Sequence, residues 1–450
     1  MMRAQTGLGR TILLLPQNSS SFREMFPIAV ALQDRKDFQP KFVFPFPVTE
    51  EQRGRCELTG IPYHLVEEDE EQAQSRRVGI LKKHFRALRT ARQLLVRERP
   101  VLLILMGDRH IGLETALVRL VNERGIPSLI VPVALSAPEV AAQYRLRQPH
   151  SQAYTLRSPL HKLAAKLFPR WVYEYRGRAL LFYPLWEALS AWVLGLMPPN
   201  PWALGGGHAT RMAVESPRLK QMFAAQGVSE SKMVVTGKPS MDGIVDLLAQ
   251  SSEQRAARCA QLGIDPAKRI ILYSPPQLGE HKLLSWDEHW EQIDFLLRTL
   301  TSFEDCQVVL SLHPKSRLED YQPRAQRYGA IVAQDASVYE LIPLCEVFVA
   351  TYSSTVVAAI GAYKPAVVVD FTDLGFPFYN DCAGVEIVRQ QDELEPALQR
   401  MLNDPAHYAD LVEAQKAQAG RWALLDGQAT QRVLDVIEEL TIQRPPDERV

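Results

Sequence analysis

The 450-residue sequence has no cysteine pair at redox or metal-ligand spacing: its five cysteines (Cys56, Cys259, Cys306, Cys345 and Cys382) stand alone. An odd, scattered set in a chain this long argues against a disulfide framework and a zinc site, and predicts free thiols in a reducing compartment. Excess charge is also missing. Lys and Arg number 51 against 52 Asp and Glu, so no basic field marks the chain for nucleic acid. No Asp-x-Asp motif is present to hold a donor through a metal, and no tract is of low complexity. Apolar runs are short. The stretch Ala179 to Met197 approaches the roughly 20 residues that cross a bilayer, but Pro184 and Glu187 interrupt it. The run Ile12 to Pro16 is too short for the apolar part of a signal peptide, which predicts a cytoplasmic protein.

What the chain does hold is alternation. In its first part, strands are read at Ile12 to Leu15, Lys41 to Phe46, Tyr63 to Leu65, Val101 to Leu105 and Ser128 to Val131. Helical spacing occupies Phe22 to Leu32, Val78 to Glu98 and Leu113 to Glu123 between them. After an interruption, a helix at Pro217 to Gln226 and a strand at Lys232 to Thr236 restore the rhythm. A second series has strands at Arg269 to Tyr273, Gln307 to Leu312, Val347 to Ala350 and Ala366 to Val369, and ends in a polar helical tail, Glu393 to about Leu440. Continuous apolar strands predict sheets covered on both faces, and repeated strand–helix–strand units predict parallel, doubly wound sheets. Two such series predict two Rossmann-like α/β domains, 1–237 and 238–450, facing a central cleft in the GT-B manner.

Ligands of open parallel sheets lie outside the carboxyl ends of the strands, so polar residues there carry the functional reading. Met106-Gly107-Asp108-Arg109-His110 follows one strand, Thr236-Gly237-Lys238-Pro239 stands at the domain junction, and Leu312-His313-Pro314-Lys315 ends another strand. The fourth set is Thr351-Tyr352-Ser353-Ser354-Thr355, at a strand-to-helix turn. Hydroxyls there add hydrogen bonds to the free backbone N–H groups and positive end of a helix, an arrangement that suits phosphate. The same residue types also serve as plain helix caps. For acid–base work the candidates are Asp108 and His110, which share one strand end, and Glu280 beside His281 in the loop after Arg269 to Tyr273.

The pattern HPK … DASVYELIPLCEVFVATYSST … GAYKPAVVVDF resembles the second domain of UDP-N-acetylglucosamine 2-epimerases and of bacterial sialyl-, Kdo- and CDP-glycerol transferases. GDRHIGLETALVRLVNERGIPSLIVP and ESPRLKQMFAAQGVSESKMVVTGKPSMD resemble segments of the epimerases' first domain and junction. The resemblance implies that His313, Pro314, Ser353, Ser354 and Thr355 hold the donor phosphates; the residues themselves add Lys315 and, beside Gly237 at the junction, Lys238 as charges that balance phosphate. It also implies a CMP-, CDP- or UDP-linked donor as substrate, with no obligatory cofactor or metal.

The departures favour transfer over epimerisation. Ser274-Pro275-Pro276-Gln277 replaces the epimerases' His-Arg-Arg-Glu-Asn-like loop, and Val356-Val357-Ala358-Ala359 follows the serines where they carry a Glu pair. Epimerisation needs several positioned acid–base groups, and of that set only Asp108 is present; transfer needs a donor clamp and one base. The expectation is a glycosyltransferase or related group transferase of surface-glycan or glycolipid assembly. An epimerase-like isomerase or hydrolase is the alternative, and a non-catalytic GT-B scaffold a further one.

One segment breaks the rhythm. Residues of about 157–202 join basic Lys162, Lys166, Arg170, Arg176 and Arg178 to an apolar stretch with Trp171, Trp186, Trp192 and Trp202. Such a composition suits an anionic membrane surface, and so a peripheral enzyme with a glycan or lipid-linked acceptor. The same composition also fits internal packing or a homodimer interface.

Overall fold

The computed structural model describes residues 9–66, 77–133, 135–148, 150–313, 316–334 and 336–442. Among the described residues fifteen strands are formed. In the first part these are β1 (Arg10–Leu15), β2 (Phe38–Phe44), β3 (Tyr63–Leu65), β4 (Leu102–Leu105), β5 (Ser128–Ile130), β6 (Val172–Tyr175), β7 (Arg178–Leu181), β8 (Arg211–Val214) and β9 (Met233–Val235). The second part contributes β10 (Arg269–Ser274), β11 (Cys306–Leu310), β12 (Ile331–Val332), β13 (Val347–Ala350), β14 (Ala366–Val369) and β15 (Val385–Val388).

Two parallel sheets result, in the orders β3-β2-β1-β4-β5-β8-β9 and β12-β11-β10-β13-β14-β15. Both are buried on both faces, which is why their strands read as unbroken apolar runs. In the first sheet Leu13, Leu15, Leu103 and Leu105 enter one core, while Ile12, Leu14, Leu102 and Ile104 enter the opposite one. In the second, Ile271, Tyr273, Val347 and Val349 alternate in the same way with Ile270, Leu272, Phe348 and Ala350. The two-domain α/β GT-B architecture is therefore the fold of the chain.

Two parts differ from expectation. The tail is three helices, Gln391–Asn403, Pro405–Trp422 and Ala429–Ile442. The last, grouped in sequence with the second half, lays Val433, Leu434, Val436 and Ile437 into the core of the first sheet. Its start is held by Asp242, which accepts from the Ala429 and Thr430 amides at 2.8 Å each.

The apolar segment is not one helix but an antiparallel hairpin, β6-β7, followed by the helix Leu185–Val193. Arg176 and Gly177 make the turn at φ 49° and 72°, the pair of positive angles that a tight two-residue hairpin demands. Trp171 and Trp202 are buried, whereas Trp186 and Trp192 stand at 43% and 52% exposure. Among the described residues no helix is long and apolar enough to cross a membrane.

Candidate functional site

Each sheet reverses its strand order once, between β1 and β4 and between β10 and β13. Crossovers leave in opposite directions at such a point and open a crevice at the strand ends. In the first sheet the crevice is flanked by the loop after β1 and by Met106 to His110; in the second, by the loop after β10 and by Thr351 to Thr355.

The first crevice is tied up internally. Asn18 caps the helix Ser19–Asp34, its Oδ1 accepting from the Ser21 amide at 2.9 Å. Asp108 has no exposed side-chain surface. It accepts from the Gly205 and Ala209 amides at 3.1 and 3.2 Å and from Lys232 Nζ at 2.8 Å. Lys232 in turn donates to the Gly205 and Gly207 carbonyls at 2.7 and 3.2 Å. A Cβ on Gly207 would stand 2.7 Å from the Asp108 Cγ, so only glycine admits this approach. This placement is at odds with the expectation that Asp108 acts as a base: its carboxylate is buried and ion-paired, with both oxygens already bonded. His110 differs. Its side chain is half exposed, and its Nδ1 lies 3.6 Å from Glu114 Oε1.

The junction residues also turn inward. Gly237 adopts φ 85°, and a Cβ there would meet Ala429 Cβ at 2.9 Å, so it serves packing against the last helix. Lys238 is 4% exposed, donates to the Val133 carbonyl at 3.0 Å and lies 3.8 Å from Glu24. Burial opposes its charge, but Tyr339, Glu215 and Glu24 together raise its pKa. The expected phosphate role of Gly237 and Lys238 is corrected for the same reason: both are committed to the interior.

Sequence reasoning missed the acids of this cluster. Glu24 is buried and its pKa is raised by that burial; Glu215, after β8, is pushed up to about 7 by burial. One oxygen of each is buried with no hydrogen-bond partner. A signal existed for Glu24, which falls between Ser21 and Ile28 at helical spacing, an acid on a face otherwise buried.

The second crevice is more open. Ser353 Oγ accepts from the Thr355 amide at 3.3 Å and shares a hydrogen bond with Thr355 Oγ1 at 2.8 Å. Ser354 is the cap residue of the helix Thr355–Gly361, yet its side chain makes no cap hydrogen bond. Sequence alone missed what fixes the loop. Tyr379 donates to the Ser353 carbonyl, and Tyr352 donates to Asp370 at 3.2 Å. Asp370 also accepts from the Leu374 and Gly375 amides at 2.7 and 2.8 Å.

β11 flanks β10 on the side away from β13, so its end stands two strand spacings, about 9.5 Å, from the serine loop. There His313 Nδ1 lies 2.6 Å from Gln277 Nε2, a partner the sequence did not suggest. With the amide donating, the neutral ring keeps its proton on Nε2. Glu280 accepts from Ser316 at 3.1 Å and leaves its other oxygen buried without a partner. His281 stacks edge-on against Tyr144 of the helix Pro138–Arg147, 5.7 Å between rings, joining the two halves. Pro314 and Lys315 lie outside the described residues. The structure thus brings together His313, Gln277, Ser353, Ser354 and Thr355 on one sheet, and sets His110 on the other.

No curated protein matches the chain in sequence. Solved structures of similar fold include the UDP-GlcNAc 2-epimerase of Neisseria meningitidis, 12% identical with a TM-score of 0.57 over 97% of this chain and 100% of that one. The wall teichoic acid polymerase TagF is also 12% identical, with a TM-score of 0.55 over 96% of this chain and 90% of that one. The glycotransferase of kitacinnamycin is 16% identical, with a TM-score of 0.54 over 96% and 100%. At these identities the likeness establishes the GT-B fold and nothing finer. A family model goes further: that of the CDP-glycerol:poly(glycerophosphate) glycerophosphotransferases matches residues 207–439, just over half of the chain. The chain belongs to that family of transferases.

Proposed function

We propose that the protein transfers a phosphoglycerol-type or glycosyl group from a nucleotide-activated donor to an acceptor of surface-polymer or glycolipid assembly. The observation that carries this reading is the second crevice: a serine loop at a strand-order reversal whose Ser354 hydroxyl is uncommitted, faced across β10 by His313. Phosphate oxygens reaching this loop would accept from Ser353, Ser354 and Thr355, with His313 standing across β10. CDP-glycerol is the first donor to test, given the family.

With that donor, the acceptor hydroxyl attacks the phosphorus bonded to glycerol. A new O–P bond forms, the bond to CMP breaks, and CMP leaves with the electron pair. The hydroxyl proton needs a base, and His110 is the candidate that remains accessible. Loss of a positioned base costs about 10²–10⁴ in rate, so His110→Ala should slow turnover by that factor and leave donor affinity unchanged. Unaltered turnover would move the role to Glu280. Stabilisation by CDP-glycerol, CMP, CDP, UDP or UDP-GlcNAc, read by thermal unfolding, tests the donor. A ligand at 100 times its Kd adds about 2.7 kcal/mol. Conversion of UDP-GlcNAc without any acceptor would favour an epimerase instead.

We also propose that the enzyme works in the cytoplasm at an anionic membrane. The helix Pro159–Leu167 leaves Leu160, Leu163 and Leu167 exposed beside Lys162 and Lys166, and Trp192 and Val193 are exposed on the helix Leu185–Val193. Apolar insertion and basic attraction each favour such a surface. The expected result is sedimentation with phosphatidylglycerol vesicles that weakens as salt rises and weakens further in Trp186→Ser/Trp192→Ser. Indifference to those vesicles at low salt would refute the membrane reading.

A further inference from the structure

His313 is held from the neighbouring loop at two points, directly and through Ser316. The two residues are bonded to each other, the Ser316 amide donating to the His313 carbonyl at 2.8 Å. In the loop after β10, the His281 amide donates to the Gln277 carbonyl at 3.0 Å, and the Leu283 amide to the Leu278 carbonyl at 2.8 Å. One helical turn is thereby wound, and residues three apart on it share a face. Gln277 and Glu280 are such a pair. Gln277 Nε2 meets His313 Nδ1 at 2.6 Å, and Glu280 Oε1 accepts from Ser316 at 3.1 Å. Gly279 lets this winding press on the helix that follows, because a Cβ there would lie 2.8 Å from the Trp286 ring.

The second tie continues inward. Ser316 also hydrogen-bonds the Tyr321 hydroxyl, which lies 3.0 Å from His289 Nε2. Tyr321 and His289 are 1% and 0% exposed, on the helices Leu318–Arg327 and Trp286–Leu300. A buried hydrogen-bonded line is costly to break, because its members have no water to turn to. Glu280 is turned toward this line: one oxygen accepts from Ser316 and the other is buried without a partner.

We propose that Gln277 and Glu280 are positioning residues of the donor clamp, Gln277 setting the His313 ring and Glu280 setting its backbone through Ser316. This rests on the transferase reading above and names what holds one side of its donor site. It gives Glu280 a task distinct from taking the acceptor proton. A clamp whose loops are already ordered loses less affinity to ordering them on binding. Cutting either tie therefore weakens donor binding without removing any group that touches the donor.

The test is calorimetric titration of CDP-glycerol into the full chain and its variants, with thermal unfolding as the check on folding. Glu280→Ala and Gln277→Ala should each weaken binding about fivefold to tenfold, as for loss of one hydrogen bond. Ser316→Ala cuts the same tie as Glu280→Ala from the other side, and stands in for it should that variant not fold. Glu280→Gln keeps an oxygen that accepts from Ser316 and should recover most of the loss. The decisive readout is coupling to His313. In a His313→Ala background, Glu280→Ala should cost less than about twofold more, because residues that act through one another are not additive. The same loss with and without His313 would overturn the proposal and make Glu280 a general support of the fold. Wild-type affinity in both Glu280→Ala and Ser316→Ala would overturn it too, as would a turnover loss of about 10²–10⁴ in Glu280→Gln, the mark of a base. The two readings fail separately. A wild-type protein that ignores CDP-glycerol, or a His313→Ala variant that binds it equally well, removes the donor site itself. A weakened His313→Ala beside an unaffected Glu280→Ala removes only the positioning role.

Discussion

The two large sheets reverse their strand order in the same way but use the polar residues at the reversal differently. Beside β4, Asp108 holds Lys232 and two backbone amides, and the same side of the molecule buries Glu24, Glu215 and Lys238 together. Beside β13, the loop is fixed from outside by Tyr379 and Asp370, and the Ser354 hydroxyl is left without a cap bond. The lesson is that a strand-end position alone does not identify a functional residue. What matters is whether its hydrogen-bonding capacity is already satisfied by the fold.

The largest effect expected from this contrast is on stability. Asp108→Asn leaves the Lys232 ammonium without its carboxylate in a nearly closed site, and removing one partner of a buried pair costs about 3–5 kcal/mol. Urea unfolding should show a loss of that size. A loss under about 1 kcal/mol would mean that Asp108 is not a strut, and would return it to the list of bases.

A smaller, pH-dependent effect is expected at Glu215, which faces Lys238, Glu24, Tyr339 and Tyr379. Its carboxyl is pushed up to about 7 in the folded protein against an ordinary 4.5. Between those values the unfolded chain releases a proton that the folded one retains, so this residue's contribution to stability falls as pH rises from about 4.5 to 7. Glu215→Gln should therefore gain on the wild type across that window in thermal melts, and be level with it near pH 4. A variant whose difference from wild type stays flat with pH would show that Glu215 ionises normally.

The smallest effect is expected from Ser354→Ala on the fold: within about 0.5 kcal/mol, as for a surface change that breaks no contact. A drop of about 1 kcal/mol or more would mark Ser354 as an ordinary helix cap after all.

The pattern of these sites explains what the sequence could convey. Both sheets were legible because Ile12 to Leu15 and Val347 to Ala350 are covered on both faces, and continuous apolar runs leave few other readings. The hairpin β6-β7 was not, because Val172 to Leu181 mixes aromatic, charged and apolar residues without clean alternation, and only the Arg176-Gly177 turn marks it. Ser353 and His313 could be picked out as strand-end polar residues. Their supports could not, because Tyr379 and Gln277 come from loops distant in sequence. Asp108 and Lys238 were misread for the matching reason: their partners Lys232 and Glu24 lie far along the chain, so nothing local shows that their charges are already paired.

The central claim, that the second crevice holds the donor's phosphates, is tested most directly by calorimetric titration of CDP-glycerol into wild type and Ser353→Ala/Ser354→Ala. Hydrogen bonds to a charged phosphate contribute about 1.5–3 kcal/mol each, so the double variant should bind at least about tenfold more weakly while staying folded, with a stability loss of no more than about 1–2 kcal/mol from the Ser353–Thr355 bonds. Equal affinity in the two proteins would contradict the claim and leave these serines as structural residues of the turn.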